Sequence, residues 1–143
     1  MTITEIRKND YEPLKKLFLE ERKNTFSWLD QSEFQLDDFE KLTHGELILT
    51  ALIDDVPVGF ISIWMPNNFI HHLYVSHEHQ GKNIGTELLK VAVKKTTFPL
   101  TLKCLEKNKK AVDFYSQKGF VEKEKGMSEH GTYILFELKE NIN

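Results

Sequence analysis

The sequence predicts an α+β fold in which helices cover a mixed β-sheet. In the first half of the chain, short and mostly apolar segments follow one another closely, and in the second half strand-like and helix-like segments alternate. Hairpin strands followed by strand–helix alternation are typical of a mixed sheet. The 143 residues include no Pro-, Gly- or Ser-rich linker. We therefore expect a single domain over residues 1–143.

Six elements are predicted in the first half of the chain. Residues 2–7 alternate apolar and polar side chains, as a half-buried strand does. Leu14, Leu17 and Phe18 recur at helical spacing, and Asp54-Asp55 marks a turn between two apolar runs. The predicted elements are a strand at 2–7, helices at 11–23 and 37–43, and strands at 46–53, 58–64 and 69–75.

The second half of the sequence predicts two helices and three strands. A helix begins near Ile84 and ends before Pro99, and a second one ends at Gly119, which suits a helix C-terminus. The predicted elements are a helix from 84, a strand at 100–105, a helix at 108–118 and strands at 120–124 and 133–138 joined around 126–131. The predicted order is β-α-α-β-β-β-α-β-α-β-β.

Charge and composition exclude several classes of protein. The 22 acidic residues outnumber the 19 Lys and Arg, so we expect no broad nucleic-acid or anionic-membrane surface. No apolar run approaches the roughly 20 residues that cross a bilayer, and the N-terminus has no secretory apolar segment. The single cysteine, Cys104, lies in an apolar strand, where we expect a buried, inert thiol. A reducing, cytoplasmic location is the expectation.

A strand, a polar loop and a helix start follow one another at residues 69–89. Gly81 and Gly85 bracket the junction, and Lys82 adds a cation. Unpaired N–H groups at a helix N-terminus favour a phosphate or pyrophosphate. The segment fits neither a Walker A loop, because Asn83 follows Gly81-Lys82, nor a dinucleotide fingerprint. A plain turn with incidental glycines is the alternative.

A second informative segment is residues 108–120, NKKAVDFYSQKGF. Asn108 stands at a predicted helix start, where its amide can cap the helix or reach a ligand. Tyr115 lies about two turns into the helix. Taken alone, helix capping by Asn108 and core packing by Tyr115 would explain both residues.

Together the two segments resemble the GNAT superfamily of acyl-CoA-dependent N-acyltransferases. The family's loop pattern [QR]-x-x-G-x-[GA] corresponds here to Gln80, Asn83 and Gly85, with Asn83 in place of the first glycine. Asn tolerates positive φ better than most residues. The family's later pattern, N-x-x-A-x-x-F-Y-x-x-x-G-F, is matched at Asn108, Ala111, Phe114, Tyr115, Gly119 and Phe120.

The resemblance implies acetyl-CoA as the acyl donor, wedged between the strands at 69–75 and 100–105. It implies a direct attack by a primary amine in a ternary complex, with Tyr115 as the catalytic residue that assists the departing thiolate. The implied cofactor-binding residues are Leu73, Tyr74 and Val75 through their backbone, Gln80, Gly81, Lys82, Asn83, Ile84, Gly85 and Thr86 around the pyrophosphate, and Asn108 on the cofactor arm.

The general base and the acceptor stay open in the sequence. Candidate bases are His71, His72, Glu106, Asp37 and Asp38. His71 and His72 are consecutive on a strand, so we expect only one of them to face the cleft.

The histidines at 71, 72, 77 and 79 match no standard metal signature, so no metal is predicted, and His77 and His79 are expected in a solvated loop. The aromatic residues Phe26, Trp28 and Phe34 either contact the acceptor or cap the core. A small-molecule amine is the favoured acceptor. A protein lysine or N-terminus, a non-catalytic acyl-CoA-binding module and a homodimer are kept as alternatives.

Overall fold

The computed structural model describes residues 1–142, which form seven strands and four α-helices in the predicted order. The strands are β1 (Thr2–Glu5), β2 (Leu47–Ile53), β3 (Val56–Trp64), β4 (Phe69–Val75), β5 (Leu100–Leu105), β6 (Val121–Ser128) and β7 (Gly131–Leu138). The helices are α1 (Tyr11–Thr25), α2 (Asp38–Leu42), α3 (Ile84–Lys95) and α4 (Lys109–Gln117). The predicted α+β class and mixed sheet are confirmed.

All seven strands form one sheet in the order β1-β2-β3-β4-β5-β7-β6. Strands β1 to β4 form an antiparallel meander, and β5, β7 and β6 form a second antiparallel group. The two groups meet at β4 and β5, which pair in parallel. The predicted Asp54-Asp55 turn joins β2 to β3, and both residues have positive φ (51° and 66°), as a type I′ hairpin turn requires.

Helices cover both faces of the sheet. Helices α1 and α2 bury Leu14, Phe18 and Phe39 against Phe60 of β3. Helices α3 and α4 cover the opposite face in a larger apolar cluster. The helices of residues 1–142 include none with the length and apolar character that crossing a bilayer requires.

The last hairpin differs from its predicted boundaries. Strand β6 continues to Ser128, so Gly126, which was predicted in the connection, lies within the strand opposite Tyr133. The residues of β6 are mostly exposed because β6 is an edge strand, and its ladder with β7 supplies the backbone hydrogen bonds. A hydrophobic pattern therefore could not reveal its full length.

Strand β4 contains a bulge that reverses one prediction. Ser62 of β3 is opposite His72, but the next residue, Ile63, is opposite Ile70, so His71 is the extra residue. A bulge interrupts the alternation of side chains along a strand. The rings of His71 and His72 consequently lie together, with centroids 3.9 Å apart and planes inclined by 30°. The prediction that these two side chains point to opposite faces is wrong.

Candidate active site

Strands β4 and β5 separate soon after they meet. They pair at Phe69–Thr101 and Ile70–Leu102, and their register includes none of the later residues of β4 within the described chain. Beyond Ile70, β4 pairs through Leu73, Tyr74 and Val75 with β3 alone. The edge of β4 that faces β5 therefore presents backbone groups without a strand partner. An extended ligand can hydrogen-bond to such an edge as an additional strand would.

The side chains of Leu73, Tyr74 and Val75 pack against the apolar clusters on both faces of the sheet. Leu73 and Val75 pack against the cluster beneath α3 and α4. Tyr74 packs on the other face, where its ring is 5.5 Å from that of Phe18 and inclined by 77°. The Val75 carbonyl accepts a hydrogen bond from Gln80 Nε2 at 2.9 Å. Gln80 thus ties the loop to the end of β4.

The loop before α3 turns through two residues with positive φ. Gly81 has φ 81°, and Asn83 has φ 66° and ψ 15°, which is the left-handed region. Asn83 therefore adopts the left-handed conformation that glycine adopts most readily. It stands where the GNAT loop pattern has its first glycine. No side chain caps α3 at Asn83, and the first helical hydrogen bond is donated by the Glu87 N–H to the Asn83 carbonyl at 3.1 Å.

The start of α3 therefore exposes backbone donors to a possible ligand. In an α-helix the N–H groups of the first turn have no intrahelical acceptor. Here they belong to Ile84, Gly85 and Thr86, the side chains of Ile84 and Thr86 being buried. Lys82 is exposed beside them. Partial positive charge and free donors give this helix start the properties of an anion site.

Gly85 lies where α3, α4 and β4 meet. A Cβ atom built on it would be 3.6 Å from the Phe114 ring and 3.9 Å from Val75 Cγ2, which are ordinary van der Waals distances. Protein packing alone therefore does not require glycine here. The loop and α4 are also joined by a hydrogen bond from Lys110 Nζ to Gln80 Oε1 at 2.6 Å.

Asn108 performs the capping role that the sequence offered as one of two alternatives. Its Oδ1 accepts a hydrogen bond from the Ala111 N–H at 3.3 Å at the start of α4. Its side-chain amide group has two further donors that this bond does not use. Its contact with a cofactor stays a prediction.

Tyr115 is buried among aromatic rings on α4. Its ring contacts Phe114 and Phe120 edge to face, with centroids 5.2 Å and 5.4 Å away. Burial raises the pKa of the phenol far above its usual value, and the nearby Cys104 and Tyr74 raise it further. The hydroxyl is therefore protonated at neutral pH and can donate a hydrogen bond or a proton.

Cys104 has the environment that the sequence predicted. It is buried on β5, and burial raises the pKa of its thiol to about 11. A thiol with this pKa is protonated at neutral pH and is a poor nucleophile.

The three candidate carboxylate bases are all engaged by cations. Asp38 accepts from Arg22 Nη2 at 2.7 Å, and Asp37 pairs with Lys41 at 3.0 Å. Burial opposes ionisation of Asp38, but hydrogen bonds from Arg22 and from the Gln35 N–H outweigh it, so its pKa is lowered. Lys125, 2.7 Å from Glu106, lowers the pKa of that carboxyl. With lowered pKa values, Asp38 and Glu106 are poor proton acceptors near pH 7.

His71 has a carboxylate partner that sequence reasoning missed. His71 Nδ1 lies 2.8 Å from Glu46 Oε2, and the Glu46 side chain is almost fully buried. Burial of His72, followed by the charges of His71 and Arg22, holds its pKa well below 6.5. His72 is therefore neutral at physiological pH.

Glu21 is a second buried carboxylate that sequence reasoning missed. It accepts from the backbone N–H of His77 at 3.1 Å and lies 2.9 Å from its Nδ1, so His77 is more than a solvated loop residue. A signal was present, because Glu21 and Arg22 continue the apolar stripe of Leu14, Leu17 and Phe18 at helical spacing. Charged residues on a buried stripe indicate specific partners.

The aromatic residues after α1 form a small cluster outside the two cores. The Phe26 ring lies 5.6 Å from Trp28 and 6.3 Å from Phe34. The buried Arg22 guanidinium lies over the rings of Phe18 and Phe34, at 4.1 Å and 4.8 Å. Arg22 thereby links the aromatic cluster to the α1–sheet core.

Solved structures with similar folds include acyltransferases. A GCN5-related N-acetyltransferase from Rhodopseudomonas palustris superposes with a TM-score of 0.78 at 20% identity, covering 97% of this chain and 95% of the other. The PaiA N-acetyltransferase from Thermoplasma acidophilum, in complex with coenzyme A, gives 0.74 at 22% identity, with 98% and 100% coverage. YncA, a putative acetyltransferase from Salmonella typhimurium with acetyl-CoA, gives 0.72 at 18% identity, with 100% and 95% coverage.

Sequence comparison identifies the family directly. No curated protein is significantly similar to this chain. The model of the acetyltransferase (GNAT) family, in contrast, matches residues 11–120, which span the sequence from the start of α1 to the residue before β6. This range includes the divergent strands, the loop before α3 and the whole of α4. The chain therefore belongs to the acetyltransferase (GNAT) family, whose members are acyltransferase enzymes.

Proposed function

We propose that this protein transfers the acetyl group of acetyl-CoA to the primary amine of a small molecule, by direct attack of the amine in a ternary complex. The observation that carries the proposal is the divergence of β4 from β5 beside a helix start without a side-chain cap. The open edge of β4 can pair with the extended arm of acetyl-CoA, and the start of α3 can bind its pyrophosphate.

The donor arm is proposed to lie along β4. Backbone groups of Leu73, Tyr74 and Val75 would pair with the amides of the pantetheine, as in β-strand addition. The N–H groups from Gly81 to Thr86 would bind the pyrophosphate, with Lys82 contributing a cation at the rim. The coenzyme A and acetyl-CoA bound in two structures of the same fold support this assignment.

Direct attack of the amine on the thioester requires no covalent intermediate with the protein. Binding both reactants side by side removes much of the entropic barrier, and a backbone N–H of the open β4 edge would stabilise the oxyanion that forms on the thioester carbonyl. The sulfur leaves as a thiolate, and the protonated Tyr115 hydroxyl would donate to it. A free alkyl amine, with a pKa of about 10, arrives mostly protonated, so it must first give one proton to water or a base. The attacking nitrogen loses a second proton as the C–N bond forms and the C–S bond breaks, and the thiolate takes up the proton that Tyr115 donates.

The acceptor side supports a small molecule. Phe26, Trp28 and Phe34 form an aromatic cluster next to the buried Arg22, in the region that the family resemblance assigns to the acceptor, and an aromatic surface suits a small amine. We propose a cytoplasmic enzyme, since acetyl-CoA is available there and the single cysteine needs no oxidising compartment.

A thiol-release assay tests the proposal. Acetyl-CoA is supplied with alkyl amines, polyamines, free amino acids and lysine peptides, and the release of coenzyme A is measured with product mass. We expect turnover with one class of small amine and little with peptides. Turnover with peptides alone would make the protein a peptide acetyltransferase, and acetyl-CoA binding with no turnover across the panel would contradict the proposed reaction.

A variant tests the donor site separately. Gly85→Glu introduces a carboxylate at the proposed pyrophosphate site, and we expect acetyl-CoA affinity to fall by at least about tenfold, since like charges repel at short range. The melting temperature identifies a variant that is misfolded. Undiminished affinity in a folded Gly85→Glu protein would reject this binding mode.

A further inference from the structure

We propose that Glu46, His71 and His72 form a binding site for a divalent first-row transition-metal ion of the Zn²⁺ type. The proposal concerns metal binding alone and does not depend on the acceptor or on acetyl transfer. It also revises the sequence interpretation, which considered the four histidines from 71 to 79 and lacked Glu46.

The three side chains converge closely enough to share one ion. One ligand atom from each residue lies within 4.8 Å of the others, and His71 Nδ1 is 2.8 Å from Glu46 Oε2. The two imidazole rings are adjacent, with centroids 3.9 Å apart. Ligand atoms about 2 Å from a metal are separated from one another by about 3 Å, so small rotations of these side chains suffice.

Two buried polar atoms of the cluster have no partner among the described residues. Glu46 Oε1 and His72 Nε2 are both shielded from solvent and without a hydrogen bond. The Glu46 side chain is only 6% exposed. Buried polar atoms without partners are rare in native proteins because each loses its hydration without compensation. A metal ion would coordinate both atoms at once.

The backbone holds two of the three ligands on a packed strand and the third in a hydrogen-bonded turn. The bulge in β4 brings the consecutive His71 and His72 to one face, and the centroid of the His72 ring lies 4.9 Å from that of Phe18 in a T-shaped pair. Glu46 lies in the turn between α2 and β2, immediately before β2, and its N–H donates to the Thr43 carbonyl at 3.0 Å. Ligands on packed elements keep their positions better than ligands on loops.

The donor set and its access favour a transition metal. Two imidazole nitrogens and one carboxylate suit Zn²⁺ and its neighbours, whereas Mg²⁺ and Ca²⁺ prefer oxygen ligands. His71 is exposed to solvent, and Glu46 lines an open surface pocket of about 480 Å³ together with His44 and Thr43. An ion can therefore reach the cluster from the exposed side of His71.

Metal titration of the tag-free protein tests the site. Zn²⁺ binding is measured by calorimetry, and Co²⁺ binding by its visible absorption, both without acetyl-CoA. We expect one ion per chain and no thiolate-to-cobalt band, since Cys104 lies outside the cluster. Glu46→Gln and His71→Asn should each weaken binding by at least about 10-fold, since loss of a partner that only orients a ligand already costs about 10- to 100-fold.

His130→Asn is the matched control, because His130 is also close to two carboxylates, Glu33 and Glu129, at 3.6 Å and 3.5 Å. Its removal should leave the affinity unchanged. Two variants guard against misfolding, since the His71 side chain is 38% exposed and lies outside both apolar clusters, and the melting temperature of each variant is measured. Absence of stoichiometric binding, or equal binding by wild type and both ligand variants, would overturn the proposal. Acetyl transfer is measured separately, so the two proposals can fail independently.

Discussion

At the scale of single residues, burial determines what Tyr115 can do. The phenol is enclosed by Phe114 and Phe120 and its pKa is raised by desolvation, so it holds its proton throughout the neutral range. We predict that Tyr115→Phe lowers kcat by about 100-fold, because general acid catalysis contributes a factor of this order. Steady-state kinetics and the acetyl-CoA Kd measure the effect, and the Kd should stay within a few-fold of wild type.

Tyr133→Phe is the control for this substitution. Tyr133 lies on β7 with its ring 4.9 Å from Lys103 Nζ, outside the proposed site. The control should retain wild-type turnover. Equal kcat in Tyr115→Phe and wild type, with the chemical step rate-limiting, would remove Tyr115 from the mechanism.

His77 predicts a pH-dependent contribution to stability. Its hydrogen bond to Glu21 raises its pKa above the ordinary 6.5. Folding then favours the protonated form, so the stabilisation is complete below pH 6.5 and is lost as the pH rises through the raised pKa. Urea unfolding of wild type and His77→Gln between pH 5.5 and 9 should show a stability difference that shrinks with rising pH. A difference that is constant or grows with pH would contradict this pairing.

The conformation of Asn83 is a feature of the site that depends on local sequence alone. The sequence departs from the family's glycine at this position, and the known tolerance of Asn for positive φ was the only local indication of how the loop would respond. The structure has φ 66° at Asn83, so this residue adopts the left-handed conformation. This conformation depends on the residue and its immediate neighbours. The carboxylate partner of His71 lay beyond this range, since Glu46 is 25 residues away from it.

At the scale of elements, the open edge of β4 depends on close packing against β3. A Cβ atom on Gly59 would lie 3.0 Å from the Tyr74 carbonyl oxygen and 3.2 Å from Val75 Cγ2. We predict that Gly59→Ala lowers the free energy of unfolding by about 1–3 kcal/mol, as overpacking does, and weakens acetyl-CoA binding by displacing β4. Denaturant unfolding and acetyl-CoA titration measure both effects.

Gly85→Ala is the matched control for stability. The added methyl group would meet only ordinary van der Waals contacts, and alanine favours a helix over glycine by about 1 kcal/mol. The control should be as stable as wild type or more stable. Equal stability of Gly59→Ala and Gly85→Ala would show that β4 can move away from β3 without cost.

The elements themselves were largely predictable, and the exceptions have physical causes. Strand β4 and strand β5 have the predicted boundaries because each is a short, mostly apolar segment bounded by turn or polar residues. Strand β6 was predicted too short because its exposed, charged residues carry no hydrophobic pattern. The β4 bulge was not predictable, since it arises from the register of two strands and not from the residues of one.

At the scale of the whole molecule, the sheet separates two apolar layers that serve different parts of the site. The α1–α2 layer depends on Phe39, which is fully buried and 5.2 Å from the Phe60 ring. We predict that Phe39→Ala lowers the free energy of unfolding by about 3–5 kcal/mol through loss of buried area and formation of a cavity. Urea unfolding followed by circular dichroism measures it.

Val121→Ala serves as the surface control, because Val121 is exposed on the edge strand β6. Its stability should change by less than about 0.5 kcal/mol. If Phe39→Ala were no more destabilising than this control, α2 would not be held by the aromatic packing described for this layer.

The sequence by itself determined the order of the elements, the class of the sheet and the two segments that carry the family resemblance. These properties follow from local patterns: apolar periodicity, turn residues and residue spacing within about 20 positions. The tertiary structure alone decided that β4 leaves β5 after two paired positions, that Asp38 and Glu106 are engaged by cations, and that Glu46 meets both histidines. Each of these depends on contacts between different segments of the fold, which arise only when the sheet assembles and its side chains are packed.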